Sequence, residues 1–299
     1  MESNSFYHLT GDGAVIKDFL HSEIDIHAAI NLIGVCAFHT GVIVLAFGHE
    51  DTHPHLLLYG TYQDCMHFKW MYESSFLHHA IRTRPAPINL KLDLDLLKIK
   101  DGNHLMNVGT YIVIQASKDG KQIMPYDDRR GTGSLYFRPN GHIPIWCFAA
   151  DGSYRPPVRA DQIGARERRA VCCSHMNIPD HWLISNGIIL PENYVDIKLF
   201  ESIYRTANCF RTFLGSGRAK QQEIKEKLAA ARGVVYDDQE AKKLRRDCCK
   251  QLFGIYDVRR LNGPQRIQLA QHLWQQYRLS RRQLSALVFL PYEEICKYT

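Results

Sequence analysis

Residues 41–60 read GVIVLAFGHEDTHPHLLLYG. Two apolar runs, GVIVLAFG and HPHLLLYG, flank a short polar loop, the pattern of a hairpin or of two neighbouring strands. Side chains alternate along an extended strand, so His53 and His55 project to one face. Two imidazoles about 7 Å apart on one face can share a divalent cation, provided another element supplies a third ligand. The same pair also suits a hydrogen-bonded surface, and the spacing alone leaves both readings open. Pro54 lacks a backbone donor and belongs on an edge strand or at a strand start. His49, Glu50 and Asp51 are placed to enlarge a metal site, but their position in the loop points to solvent.

The flanking chain extends this pattern. FYHLT is a short strand, and SEIDIHAAINLIGVCA is a helix with Ser22 as N-cap. TYQDCMHFKWMYESSFLHHAI is a second helix capped by Thr61, ended by RTRPAPIN. The order β-α-β-β-α is most of a ferredoxin-like unit and predicts an α+β fold with an antiparallel sheet. NHLMNVGTYIVIQAS follows, then a turn-rich loop, KDGKQIMPYDDRRGTGS. By propensity alone TYIVIQ is a strand. From about Asp151 the pattern becomes helical, through GSGRAKQQEIKEKLAAARG to three short helices at the end. The expected division is therefore 1–150 and 151–299.

The chain has 299 residues, 45% hydrophobic and 23% charged, the composition of a globular protein with a proper core. No apolar run approaches the ~20 residues of a membrane span. MESNSFYHLT has no basic region leading into an apolar one, so no signal peptide is expected. Nine cysteines, an odd number without a C-x-x-C, point to a reducing compartment and to the cytoplasm. The net charge of +6 is unevenly spread: residues 201–299 carry 19 basic and 10 acidic side chains, against 18 and 21 in the rest. A basic C-terminal third fits an acidic partner, most simply nucleic acid, and equally a solvated helical surface.

FGHEDTHPHLLLYG, preceded by YHLT, resembles the histidine-hydrophobe-histidine motif of the HUH single-strand nucleases. The single-tyrosine transposases, including the REP-associated branch, are the most similar. That resemblance calls for a nucleophilic tyrosine on a later helix, with an amide four residues on. Tyr111-Ile112-Val113-Ile114-Gln115 has this form. On a helix those two positions are neighbours about 6 Å apart; on a strand they lie roughly 13 Å apart, too far for one site. The resemblance therefore implies a helix where propensity implies a strand.

It also implies the chemistry: a Mg or Mn ion held by His53, His55 and Gln115, attack by Tyr111 on single-stranded or hairpin DNA, a 5′-phosphotyrosine intermediate and a homodimer. Three departures stand out: Thr52 where Asn is usual, Pro54 in the hydrophobe slot, and no Asn-Pro after the tyrosine. Two alternatives follow. One is a domesticated relative that binds hairpin DNA without cutting it. The other is a metal-dependent hydrolase using His49, His53, His55 and nearby acids, with Tyr111 structural.

RIQLAQHLWQQYRLSRRQLSALVFLPYEEICKYT has the rhythm of a helix-turn-helix, with Leu269, Leu273 and Tyr277 spaced at four, Ser280 as a cap and Pro291 opening the last helix. An ordinary three-helix bundle fits the same pattern. Lys242, Lys243, Arg245, Arg246 and Lys250, with Arg281 and Arg282, are candidate phosphate neutralisers. Arg166, Arg168 and Arg169 are either more of these or a solvated helix face. No Walker-type Gly-x-x-x-x-Gly-Lys run is present.

Overall fold

The computed structural model describes residues 3–12, 16, 18–85, 88, 90, 92–115, 124–216, 238–277, 279 and 281–298. The chain divides into two compact units, Met1–Gln222 and Glu223–Thr299. The division expected at residue 150 thus falls inside the first unit. The reason is packing: Phe200, Tyr204 and Phe210 share one core with Tyr111, Ile112 and the strands.

The first unit opens with β1 (Ser5–Gly11), α1 (Glu23–Thr40), β2 (Ile43–His49), β3 (Pro54–Gly60), α2 (Tyr62–Thr83) and β4 (Leu94–Lys98). The strands form one antiparallel sheet in the order β2-β3-β1-β4. Local chemistry sets most of these boundaries. The Ser22 and Thr61 side chains accept from Asp25 N and Asp64 N at the two helix starts, and Gly41 closes α1 in the left-handed conformation at φ 71°. Pro54 is the first residue of β3, an interior strand, so the strand-start reading holds and the edge reading does not. The strand β4 was not expected, although Leu90, Leu92, Leu94 and Leu96 alternate in the sequence.

Helices α1 and α2 pack together on one face of the sheet, and α3 (Gly102–Val113) lies on the other, against β2 and β3. Tyr111 is therefore on a helix, and the strand propensity of TYIVIQ is overridden. The Asp101 side chain caps the helix start by accepting from His104 N. Thr110 bonds back to Met106 O at 2.8 Å and meets the Tyr204 hydroxyl at 3.0 Å, so its polar group is satisfied inside the helix. At Gly109 an added Cβ would lie 2.7 Å from the Tyr204 hydroxyl, so glycine is what lets the later helix carrying Tyr204 approach.

The unit is completed by β5 (Val158–Arg159), α4 (Ala165–Val171), β6 (Leu183–Ser185), β7 (Ile188–Ile189), α5 (Ile197–Tyr204) and α6 (Ala207–Gly215). The buried Asn31 side chain of α1 ties this part down, bonding Val171 O, Gly187 O and Ile189 N.

The second unit contains α7 (Asp238–Phe253), α8 (Gly263–Tyr277), α9 (Arg281–Val288) and α10 (Tyr292–Tyr298) around their own core. Leu269, Leu273, Leu284, Val288 and Ile295 are buried there. Pro291 directly precedes α10. Ser280 and most of the polar stretch 215–233 lie outside the described residues. Among the described residues no helix is long and apolar enough to cross a membrane.

A candidate metal centre beside a buried tyrosine

The site is built on one row across the sheet. Asp95 of β4, Thr10 of β1, His55 of β3 and Gly48 of β2 are register partners in turn, and partners across a ladder share a face. This is the face that α3 covers. His49 and Pro54 pair in the next row and belong to the opposite face. His49 accordingly lies in the core rather than in solvent, its Nδ1 2.9 Å from Arg130 O and its Nε2 3.4 Å from the Tyr72 hydroxyl. Burial lowers its pKa to about 4. The fold therefore does not assemble His49, His53 and His55 into one ligand set.

His53 and His55 do come together, with ring centroids 4.5 Å apart. They converge more closely than two strand positions would because His53 precedes the strand and sits in the turn. Glu50 N donates to His53 O at 3.0 Å, closing that turn. The turn is held from both sides: Leu20 N donates to Asp51 O at 2.9 Å, His49 N to Arg130 O at 3.2 Å, and the Arg130 guanidinium pairs with the Asp51 carboxylate.

That clamping folds Glu50 inward. Its Oε1 lies 3.7 Å from His55 Nε2 and its Oε2 lies 3.8 Å from His53 Nδ1. One ligand atom from each of Glu50, His53 and His55 falls within 4.8 Å of the others, so this group can hold a metal ion. Ligands at about 2.1 Å from an ion stand roughly 3 Å apart when adjacent and 4.2 Å when opposite, and the two separations from Glu50 lie between these. Sequence reasoning assigned Glu50 to solvent. A nearby carboxylate was visible in the chain, but its direction depends on contacts with residues 20 and 130.

Tyr111 of α3 and Gln115, two residues beyond its end, reach the same face. The Tyr111 ring stands edge-on to His55 with centroids 5.0 Å apart, and the residue is only 4% exposed. Gln115 occupies the space that a side chain at position 48 would need: an added Cβ on Gly48 would meet Gln115 Cγ at 3.2 Å and Ile112 O at 2.4 Å. Gln115 Nε2 donates to Tyr111 O at 3.0 Å. Its Oε1 is buried and finds no hydrogen-bond partner among the described residues. A buried, unsatisfied amide oxygen is a group that a nearby cation would satisfy. Two imidazole nitrogens and a carboxylate oxygen are ligand atoms for a divalent metal ion, so the residues present fit one.

Two residues not singled out in the sequence complete the site. His8 and Thr10 of β1 are both buried against His55. The signal for them was the period-two alternation of FYHLT, which puts both on one face.

In the second unit, Lys242, Lys243, Arg246 and Lys250 are exposed on α7 and Arg245 is half-buried. Lys242, Arg246 and Lys250 are spaced by four and share a helix face. Arg246 and Lys250 both lie over the exposed Tyr256 ring, at 5.9 and 5.1 Å. Arg281 stacks over Trp274 at 5.4 Å; the side chain of Arg282 lies outside the described residues. In the first unit Arg168 is committed to Ala160 O and Asp180, whereas Arg166 and Arg169 are exposed.

Comparison with protein-family models, curated proteins and solved structures finds no match to this chain.

Proposed function

We propose that the chain is a metal-assisted, single-tyrosine DNA nuclease and strand transferase of the HUH type, acting on single-stranded or hairpin DNA. The first unit is its ferredoxin-like catalytic domain, in keeping with the β-α-β-β-α-β order and the antiparallel arrangement β2-β3-β1-β4. The second unit is its DNA-binding region, with α8 and α9 as a helix-turn-helix and the basic face of α7 on phosphate. Homodimeric assembly and a cytoplasmic setting belong to the same reading.

The observation that carries it is the meeting of Tyr111, on a helix, with His53 and His55, on a hairpin more than fifty residues earlier, at ring distances of 5.0 and 4.5 Å about His55. Glu50, His53 and His55, with the Gln115 amide oxygen, would hold the ion. Bound there, it would supply positive charge to offset that developing on the phosphate. A phenol ionises near ~10 in water, so Tyr111 becomes a usable nucleophile only beside such positive charge. Its oxygen bonds to phosphorus as the bond to the 3′-oxygen breaks, leaving a 5′-phosphotyrosine and a 3′-hydroxyl. Attack by a 3′-hydroxyl reverses the step and rejoins the strand without nucleotide hydrolysis.

A second reading retains the DNA and drops the cleavage. The burial of Tyr111, at 4% exposed, favours it. One experiment separates the two. Protein is incubated with Mn and end-labelled hairpin oligonucleotides and run on a denaturing gel. The nuclease yields a labelled band at protein mass that is lost in Tyr111→Phe and His53→Ala. Binding without any adduct, across many hairpins and several metals, establishes the second reading. Absence of binding sinks both.

A further inference from the structure

Two contacts on the α3-facing side of the sheet converge on a single atom. His55 Nδ1 lies 2.8 Å from Thr10 Oγ1 and 3.2 Å from His8 Nε2, and all three residues are buried. The β1–β3 register causes this, because Thr10 is the direct partner of His55 and His8 lies two residues along on the same face. A neutral imidazole has one protonated nitrogen and one with a free lone pair, and the partner of the first decides which nitrogen can take a metal.

We infer that Thr10 and His8 are positioning residues for the metal centre, holding His55 with its proton on Nδ1, donated to Thr10 Oγ1, so that the Nε2 lone pair faces the cation. The inference rests on the metal-site reading above. Nε2 is the atom that faces Glu50 Oε1 at 3.7 Å, on the side of the ring away from Thr10. With the proton on Nε2 instead, His55 would donate to that carboxylate and close the site to an ion. Hydrogen-bonded partners of this kind fix both the tautomer and the ring orientation of a ligand histidine.

His8 supplies the second constraint. Its ring is stacked on His55 with centroids 5.4 Å apart and planes at 23°. The same ring meets Tyr111 edge-on, at 6.1 Å and 81°. One buried imidazole thus braces the ligand and the tyrosine together. Thr10 acts through His55, and His8 through His55 and the Tyr111 ring.

The test uses the full chain and two readouts independent of cleavage. Mn affinity is measured by the free-ion electron paramagnetic resonance signal, and the His55 tautomer by ¹⁵N imidazole chemical shifts without metal, with His55→Gln assigning the resonance. Thr10→Val keeps the shape and removes the acceptor; Thr10→Ser restores it. Thr10→Val is expected to weaken Mn binding by about 10- to 100-fold, while Thr10→Ser binds like the unsubstituted protein. The ¹⁵N shifts should show Nδ1 protonated in the unsubstituted protein and a move toward Nε2 in Thr10→Val. Should Thr10→Val fail to fold by circular dichroism, His8→Phe, which keeps a stacked ring without nitrogens, is expected to weaken Mn binding in the same direction. Unchanged Mn affinity in a folded Thr10→Val, or Nε2 protonation of His55 in the unsubstituted protein, overturns the inference. If His53→Ala and His55→Ala bind Mn normally, the metal-site reading fails instead, and the ¹⁵N shifts still decide the tautomer.

Discussion

Gly48 and His55 are direct partners in the β2–β3 ladder, and the side chain missing at Gly48 is what admits Gln115 to the row. A methyl group at position 48 would meet Ile112 O at 2.4 Å, a backbone atom that moves only with α3. Gly48→Ala is therefore expected to push α3 off the sheet and cost about 1–3 kcal/mol, the usual penalty of overpacking. Urea denaturation measures the stability. The change should also weaken Mn binding, since Gln115 and Tyr111 leave together. A variant as stable and as metal-competent as the parent would show that α3 does not pack against Gly48.

Glu50 is expected to contribute to metal binding through its charge. Glu50→Gln keeps the size and an oxygen but removes the negative charge between the two histidines. Mn affinity should fall by about tenfold or more, since ligand charge tunes such sites over orders of magnitude. Asp51→Asn leaves Glu50 intact but removes the charge that pairs with Arg130, and is expected to cause a smaller loss by loosening the turn. Isothermal calorimetry with Mn distinguishes the two, and the reverse order would contradict the inward placement of Glu50.

His49 makes stability depend on pH. Its folded pKa, about 4 because burial disfavours the charged ring, lies below the ordinary value of 6.5. The unfolded chain therefore binds more protons between those values, and stability is lost as pH falls through this window. The loss from this group approaches about 3 kcal/mol at the bottom of the window, at roughly 1.4 kcal/mol for each pH unit crossed. Replacement by Gln should lower stability at pH 7, because the hydrogen bonds to Arg130 and Tyr72 are disturbed, yet flatten the dependence between pH 4 and 6.5. Thermal midpoints across that range test it, and equal slopes in both proteins would contradict it.

The basic face of α7 makes a separable prediction. If Lys242, Arg246 and Lys250 contact phosphates, replacing all three by Gln should weaken DNA binding almost equally for every sequence. The slope of log affinity against log salt should drop by about one for each phosphate no longer neutralised. Fluorescence anisotropy at several salt concentrations gives both quantities. A slope unaltered by the triple change would assign these residues to a solvated face.

The elements whose signals close within a few residues are legible in the chain itself. Ser22 and Thr61 cap helices where the sequence puts caps, and Gly41 stops α1. The strand β4 has an equally local signal in its alternating leucines, masked by the prolines that precede it. The order of histidine pair, tyrosine and amide is also present in the chain, as a resemblance whose residues had to be brought together by packing.

What lies beyond the chain's own local signals depends on contacts between distant segments. TYIVIQ favours a strand in isolation and is helical because β2 and β3 bury one side of it while Phe200 and Tyr204 bury another, a context no window around Tyr111 contains. Glu50 and His49 are neighbours in sequence, yet the pleat sends His49 into the core and the clamp from Leu20 and Arg130 turns Glu50 toward the histidines. Composition and periodicity encode which residues seek burial and which faces they share; whether a carboxylate meets solvent or a pair of imidazoles is decided by the segments that pack around it.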